Sequence, residues 1–122
     1  MAEPKALLLV EDDRALVNLN KRVLTREGYR VLVARNLNEA REAVENDNPQ
    51  AIVLDWELPD GSIFDFCREL RKTTAIPIVF LTALKGEEYE KAGYDAGSND
   101  YITKPYHMDR LTASIETLLA QV

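Results

Sequence analysis

The sequence predicts an α/β domain: a doubly wound, five-stranded, mostly parallel sheet with five helices. Three observations carry that expectation. Apolar runs without polar alternation, Ala6 to Val10, Ala51 to Leu54 and Ile78 to Leu81, have the pattern of parallel strands buried on both faces. Segments with helical spacing of apolar residues separate them, each bounded by capping residues, glycine or proline. Finally, 122 residues with 46% hydrophobic content make one real core and leave no room for a second domain. Strands alternating with helices in a chain of this length specify the α/β class.

In chain order, Lys5 to Val10 is the first predicted strand. A helix follows, with Leu16, Leu19 and Val23 on one row and Val17 and Leu24 on the next, capped by Asp13 and stopped by Gly28. Tyr29 to Ala34 reads as a second strand. Asn36 with Glu39 is a capping pair for a helix with the stripe Leu37, Ala40 and Val44, ending at Asn46-Asp47-Asn48-Pro49. Ala51 to Leu54 is the third strand and carries Asp55 at its tip. After the Pro59-Asp60-Gly61 loop, Phe64, Cys67 and Leu70 mark a third helix, closed by Thr73-Thr74 and Pro77. Ile78 to Leu81 is the fourth strand, ending in Thr82-Ala83. Glu87 to Ala96 is a polar helix in which Gly93 costs about 1 kcal/mol relative to alanine, so mobility is expected there. Asp100 to Thr103 is a short fifth strand, and His107 to about Gln121 a last helix that buries Leu111, Ile115, Leu118 and Leu119.

Composition narrows the function. The net charge of −6 and pI near 4.8 argue against nucleic-acid binding by this domain, which would need a basic patch, and favour a cationic ligand or basic partner. Cys67 is the only cysteine, so no disulfide closes within the chain and a zinc cluster fails on ligand count. That composition suits a reducing cytosol. The start Met-Ala-Glu-Pro-Lys lacks a signal-peptide pattern, and the apolar run to Val10 falls far short of the ~20 residues of a membrane span. A cytoplasmic location without membrane contact is expected.

Asp55 is the residue that most needs a function. It ends a buried strand and faces a Pro/Gly loop, and ionised side chains are seldom buried without a partner. The first strand also ends in acids, Glu11-Asp12-Asp13. In the flavodoxin-like strand order 2-1-3-4-5 the first and third strands are neighbours, and ligands sit outside their carboxyl ends. Asp12 and Asp55 then meet, and like charges at close range need a cation between them. Magnesium (Mg2+) prefers oxygen ligands and is usually held by one or two carboxylates plus phosphate. A phosphoryl group moving to Asp55 develops charge on its oxygens, for which Lys104 provides a fixed cation and Thr82 a hydroxyl. Asp55 therefore reads as a phosphoryl acceptor in a magnesium site.

Four blocks, Val10-Glu11-Asp12-Asp13, Leu54-Asp55-Trp56-Glu57-Leu58-Pro59, Leu81-Thr82-Ala83 and Asp100-Tyr101-Ile102-Thr103-Lys104-Pro105, occur in this order and spacing. Over almost its whole length, residues 1–122, the chain resembles the receiver domain of two-component response regulators, with the CheY-like fold, and is most like the OmpR/PhoB winged-helix subfamily. The resemblance implies that Asp55 accepts phosphate from a sensor histidine kinase or a small acyl phosphate. It further implies that Asp12 ligates magnesium directly and Glu11 through water, with the backbone carbonyl of Glu57 as a further ligand. Lys104 would pair with the phosphate and precede a cis bond to Pro105. Thr82 would swing to a phosphate oxygen and Tyr101 rotate inward behind it, switching a surface of the fourth helix, fifth strand and fifth helix. The phosphorylated form would pair as a homodimer through that surface, to control transcription through a DNA-binding domain outside this chain. The positions involved are Glu90, Asp100 and Arg110, with Glu90 and Arg110 exchanging the usual charges and Ser114 standing where an arginine partner of Asp100 is expected.

Two departures stand out. Ile63 occupies a position where glycine is common, and Glu57 places an acid two residues past Asp55, where it would alter phosphate lifetime. A stand-alone phosphorelay receiver is the nearest alternative, and a small magnesium-dependent phosphohydrolase a more distant one that lacks room for a substrate cap. Other features have plainer readings. Asp13 is a helix cap, Cys67 a core thiol, His107 a surface residue and Trp56 packing at the pocket mouth, while the Glu87 to Lys91 run is a solvated face or a partner contact.

Overall fold

The computed structural model describes residues 3–55 and 61–120. The elements alternate without exception: β1 (Ala6–Val10), α1 (Arg14–Arg26), β2 (Arg30–Ala34), α2 (Leu37–Asp47), β3 (Ala51–Asp55), α3 (Ile63–Arg71), β4 (Ile78–Thr82), α4 (Glu87–Ala96), β5 (Asp100–Thr103) and α5 (Met108–Ala120). All strand pairs are parallel, in the order β2-β1-β3-β4-β5. The expected topology is thus the observed one, and the element bounds differ from the expected ones by a residue or two.

Side chains alternate across the sheet and divide the core in two. Leu8, Val10, Ile52, Leu54, Ile78 and Phe80 face a layer that includes Leu37, Ala40, Ile63, Phe66, Cys67 and Ala96 of α2, α3 and α4. Leu7, Leu9, Val53, Val79, Leu81 and Ile102 face Leu24 of α1 and Leu111, Ile115 and Leu119 of α5. Because helices cover both faces, β1, β3 and β4 are buried at every position. This is why they read as unbroken apolar runs.

The helix ends follow local chemistry. Asp13 accepts hydrogen bonds from the amides of Ala15 and Leu16, and Asn36 from that of Glu39. Ser62 caps α3, and Ile63, its first residue, is buried in the core rather than disturbing the helix entry. Cys67 is buried and free, as expected of a core thiol, and His107 is exposed.

The structure corrects one helix face. Leu19 is 47% exposed, whereas Val17, Asn20 and Leu24 form the buried side of α1. Positions 17, 20 and 24 lie at i, i+3 and i+7, a stripe as regular as the one chosen by counting leucines. The glycine inside α4 also acquires a reason. A Cβ on Gly93 would lie 3.0 Å from Tyr101 Cδ2 and 3.3 Å from Phe80 Cδ2, so its absence lets α4 close over the buried tyrosine.

Candidate functional site

Register brings the sequence-predicted residues to the carboxyl end of the sheet. Val10 pairs with Leu54, which places Glu11 and Asp55 at the tips of adjacent strands. Asp55 pairs with Leu81, one residue before Thr82, and the Lys104 amide donates to the Thr82 carbonyl at 2.7 Å where β5 leaves the sheet. From there the Lys104 ammonium reaches across β4 and forms an ion pair with Asp55 Oδ2. Burial works against that ammonium, but the hydrogen bond and charge of Asp55, helped by Glu11, outweigh it and hold Lys104 above the ordinary lysine range. The Lys104–Pro105 peptide is cis, as the resemblance implies.

Glu11 and Asp55 are each only 2% exposed. Glu11 Oε2 accepts the amides of Asp12 at 3.0 Å and Asp13 at 3.3 Å, while Oε1 is buried with no hydrogen-bond partner among the described residues. Burial first, and then the Asp55 carboxyl beside it, push Glu11 up to about 8, with Lys104 opposing. Above that value two ionised carboxyls face one ammonium and leave an excess of negative charge. An orphaned oxygen in such a site is what a hard cation with oxygen ligands requires.

The residues present therefore fit magnesium, with a limit. Among the described residues no group of three His, Cys, Asp or Glu side chains could hold a metal by itself. Asp12 is exposed at the rim, in contrast to Glu11. The ligand expected from the Glu57 carbonyl, along with Trp56 and the Pro59-Asp60 loop, lies outside the described residues.

The expected switch pair is close to this centre. Thr82 is fully buried, and its Oγ1 accepts the Leu84 amide at 3.0 Å. The Tyr101 hydroxyl donates to the Leu84 carbonyl at 2.8 Å. Thr82 and Tyr101 thus grip the two sides of the same residue in the loop before α4, and Tyr101 lies inward against Phe80.

Residues 7–116 match the response regulator receiver domain family. The chain belongs to that family. Response regulator MprA of Mycolicibacterium vanbaalenii is 38% identical over 117 residues, which cover 95% of this chain and 51% of that protein. Transcriptional regulatory protein KdpE of Staphylococcus aureus is 37% identical over 112 residues, covering 92% and 48% respectively. The receiver thus spans about half the length of the curated relatives it matches, and the likeness to the OmpR/PhoB subfamily agrees with them. The structure of the Francisella response regulator 1452 receiver domain superposes with a TM-score of 0.92 at 29% identity, covering 96% of this chain and 98% of that one.

On the surface expected to form a dimer, Asp100 is engaged within the receiver: Arg110 donates to both of its oxygens, at 2.9 and 3.0 Å, and Ser114 donates at 2.6 Å. Ser114 is small enough to let Arg110, one helical turn earlier, fold back onto the same carboxylate. Two contributors escaped the sequence reading altogether. Asn20 and Tyr106, 86 residues apart, meet beside the site, and Arg71 ties together the opposite end of the sheet. Only the helical stripe through positions 17, 20 and 24 could have signalled the first of these. Among the described residues no helix is long and apolar enough to cross a membrane.

Proposed function

We propose that this receiver accepts a phosphoryl group on Asp55 from the phosphohistidine of a sensor kinase, or from a small acyl phosphate. The observation that supports this most is the Asp55–Lys104 ion pair set beside a buried Glu11 with an oxygen unpartnered among the described residues. As the bond from phosphorus to Asp55 forms, the bond to the donor nitrogen breaks and that nitrogen keeps the electron pair. Lys104 offsets charge on the transferring group, and the Thr82 hydroxyl donates to one of its oxygens. Magnesium, held by Asp12, Asp55 and the Glu57 carbonyl with Glu11 acting through water, would supply neutralisation of phosphate charge.

The output follows from the Leu84 contacts. When Thr82 turns to the phosphate, the loop it shares with Tyr101 moves with it and alters the α4, β5 and α5 surface. That change would regulate transcription through a DNA-binding segment of the full protein, in the cytoplasm, with the acidic receiver making no contact with nucleic acid. Pairing of phosphorylated receivers through Glu90 and Arg110 would be weak, since exposed pairs contribute about 0.2–1 kcal/mol and Arg110 is already engaged by Asp100.

The test is intact mass after incubation with magnesium and acetyl phosphate. One phosphate per chain is expected, with none on Asp55→Asn. An unchanged wild-type mass, under conditions that label a control receiver, would overturn the reading.

A further inference from the structure

Asn20 is a polar side chain that nothing in the phosphoacceptor chemistry uses. It is 1% exposed, on the face of α1 that also buries Val17 and Leu24. An amide in such surroundings destabilises the fold unless it is hydrogen-bonded. Its partner is the Tyr106 hydroxyl, which accepts from Asn20 Nδ2 at 3.3 Å and faces Oδ1 at 3.5 Å.

Tyr106 lies two residues past Lys104, in the loop between β5 and α5. That loop is held at one side by the Lys104 amide on the Thr82 carbonyl, at 2.7 Å. On its other side the hydroxyl of Tyr106 reaches α1, the helix that begins directly after Glu11-Asp12-Asp13. Lys104 therefore springs from a segment tethered both to β4 and to the element that follows the acids. The Tyr106 ring is near enough to the centre to feel the charges of Lys104, Glu11 and Asp55.

We propose that Asn20 and Tyr106 are positioning residues for phosphoryl transfer: their hydrogen-bonded pair clamps the loop bearing Lys104 to α1 and so holds the ammonium on Asp55. The proposal rests on Asp55 being the phosphoacceptor. It makes the placement of the catalytic cation depend on α1 as well as on the sheet.

The test compares the wild type with Tyr106→Phe, Asn20→Val and the double variant, well below their unfolding midpoints. Three quantities are measured: the phosphorylation rate at saturating acetyl phosphate, the magnesium concentration for half-saturation, and exchange of the Lys104 amide. Each single variant should lower the saturating rate about fivefold, the factor one neutral hydrogen bond supplies, with the magnesium midpoint unchanged. The double variant should be no slower than the slower single, because both substitutions remove one shared contact. A wild-type rate in Tyr106→Phe, or losses that multiply in the double variant, would overturn the proposal. Should the wild type take up no phosphate while a control receiver does, the reading of Asp55 has failed and the clamp is judged by exchange alone. Faster exchange at Lys104 in both variants, with the amides of β5 unchanged, then supports it; unchanged exchange at Lys104 sinks it.

Discussion

The two ends of the sheet treat buried charge in opposite ways. At the carboxyl end, the Lys104 ammonium pairs with Asp55, and Glu11 Oε1 beside them has no partner among the described residues. At the amino end, the partly buried Arg71 guanidinium is well supplied. It donates to the carbonyls of Gly97 at 2.9 Å and Ile76 at 2.7 Å, and to Asn99 Oδ1 at 2.8 Å. Asn99 Oδ1 also takes the Ile78 amide that starts β4, at 2.9 Å. A buried polar group supplied with partners joins elements; one left short awaits a ligand. Stability is therefore expected to depend on the amino end and ligand response on the carboxyl end.

The largest expected effect breaks the satisfied end. Gly97 has φ of +114°, and a Cβ there would lie 2.6 Å from Arg71 Cγ. Left-handed strain together with the clash predicts that Gly97→Ala loses about 3 kcal/mol in urea unfolding. The folded fraction should still take up one phosphate. A loss of phosphate uptake by fully folded Gly97→Ala would show that the two ends are not separate.

A smaller effect of opposite sign is expected at the other end. Above about pH 8, where Glu11 is ionised, Glu11→Gln removes a buried charge but keeps an oxygen for the amides of Asp12 and Asp13, so the metal-free protein should gain about 1 kcal/mol there. Magnesium should then stabilise the variant less than the wild type, as read by unfolding in chelator and in excess magnesium. A destabilised Glu11→Gln in chelator would mean that the carboxylate is satisfied after all.

The smallest effect concerns Asp100, the first residue of β5. Burial raises its pKa, but hydrogen bonds from Arg110, Ser114 and the Tyr101 amide outweigh burial and hold it below the usual 3.8. The folded-state value is depressed, so this contribution is fully present above the unfolded value and is lost as pH falls through the lowered one. Because Arg110 is half exposed, Asp100→Asn should cost less than ~1 kcal/mol at neutral pH. That difference should shrink as the medium is acidified below pH 3.8. A difference independent of pH would assign the loss to packing instead of charge.

What could be read from sequence was whatever is encoded locally. Strands covered on both faces must be apolar throughout, helix starts need side-chain acceptors, and an acid at the end of such a strand is conspicuous; hence β1, β3 and β4 and the strand-end residues Glu11, Asp55, Thr82 and Lys104 were legible. What tertiary structure decided was pairing across the chain. Asn20 has its partner in Tyr106, 86 residues away. Arg71 has its partners in the loops 74–76 and 97–99, which close around it. Gly93 looked like a weak point in α4, and only the Tyr101 ring 3.0 Å from where its Cβ would be explains it. Periodicity reports which face of an element is buried, because burial repeats with the helix or strand. It carries no information about which distant residue completes a hydrogen bond or occupies a gap, because that depends on where separate elements come to rest.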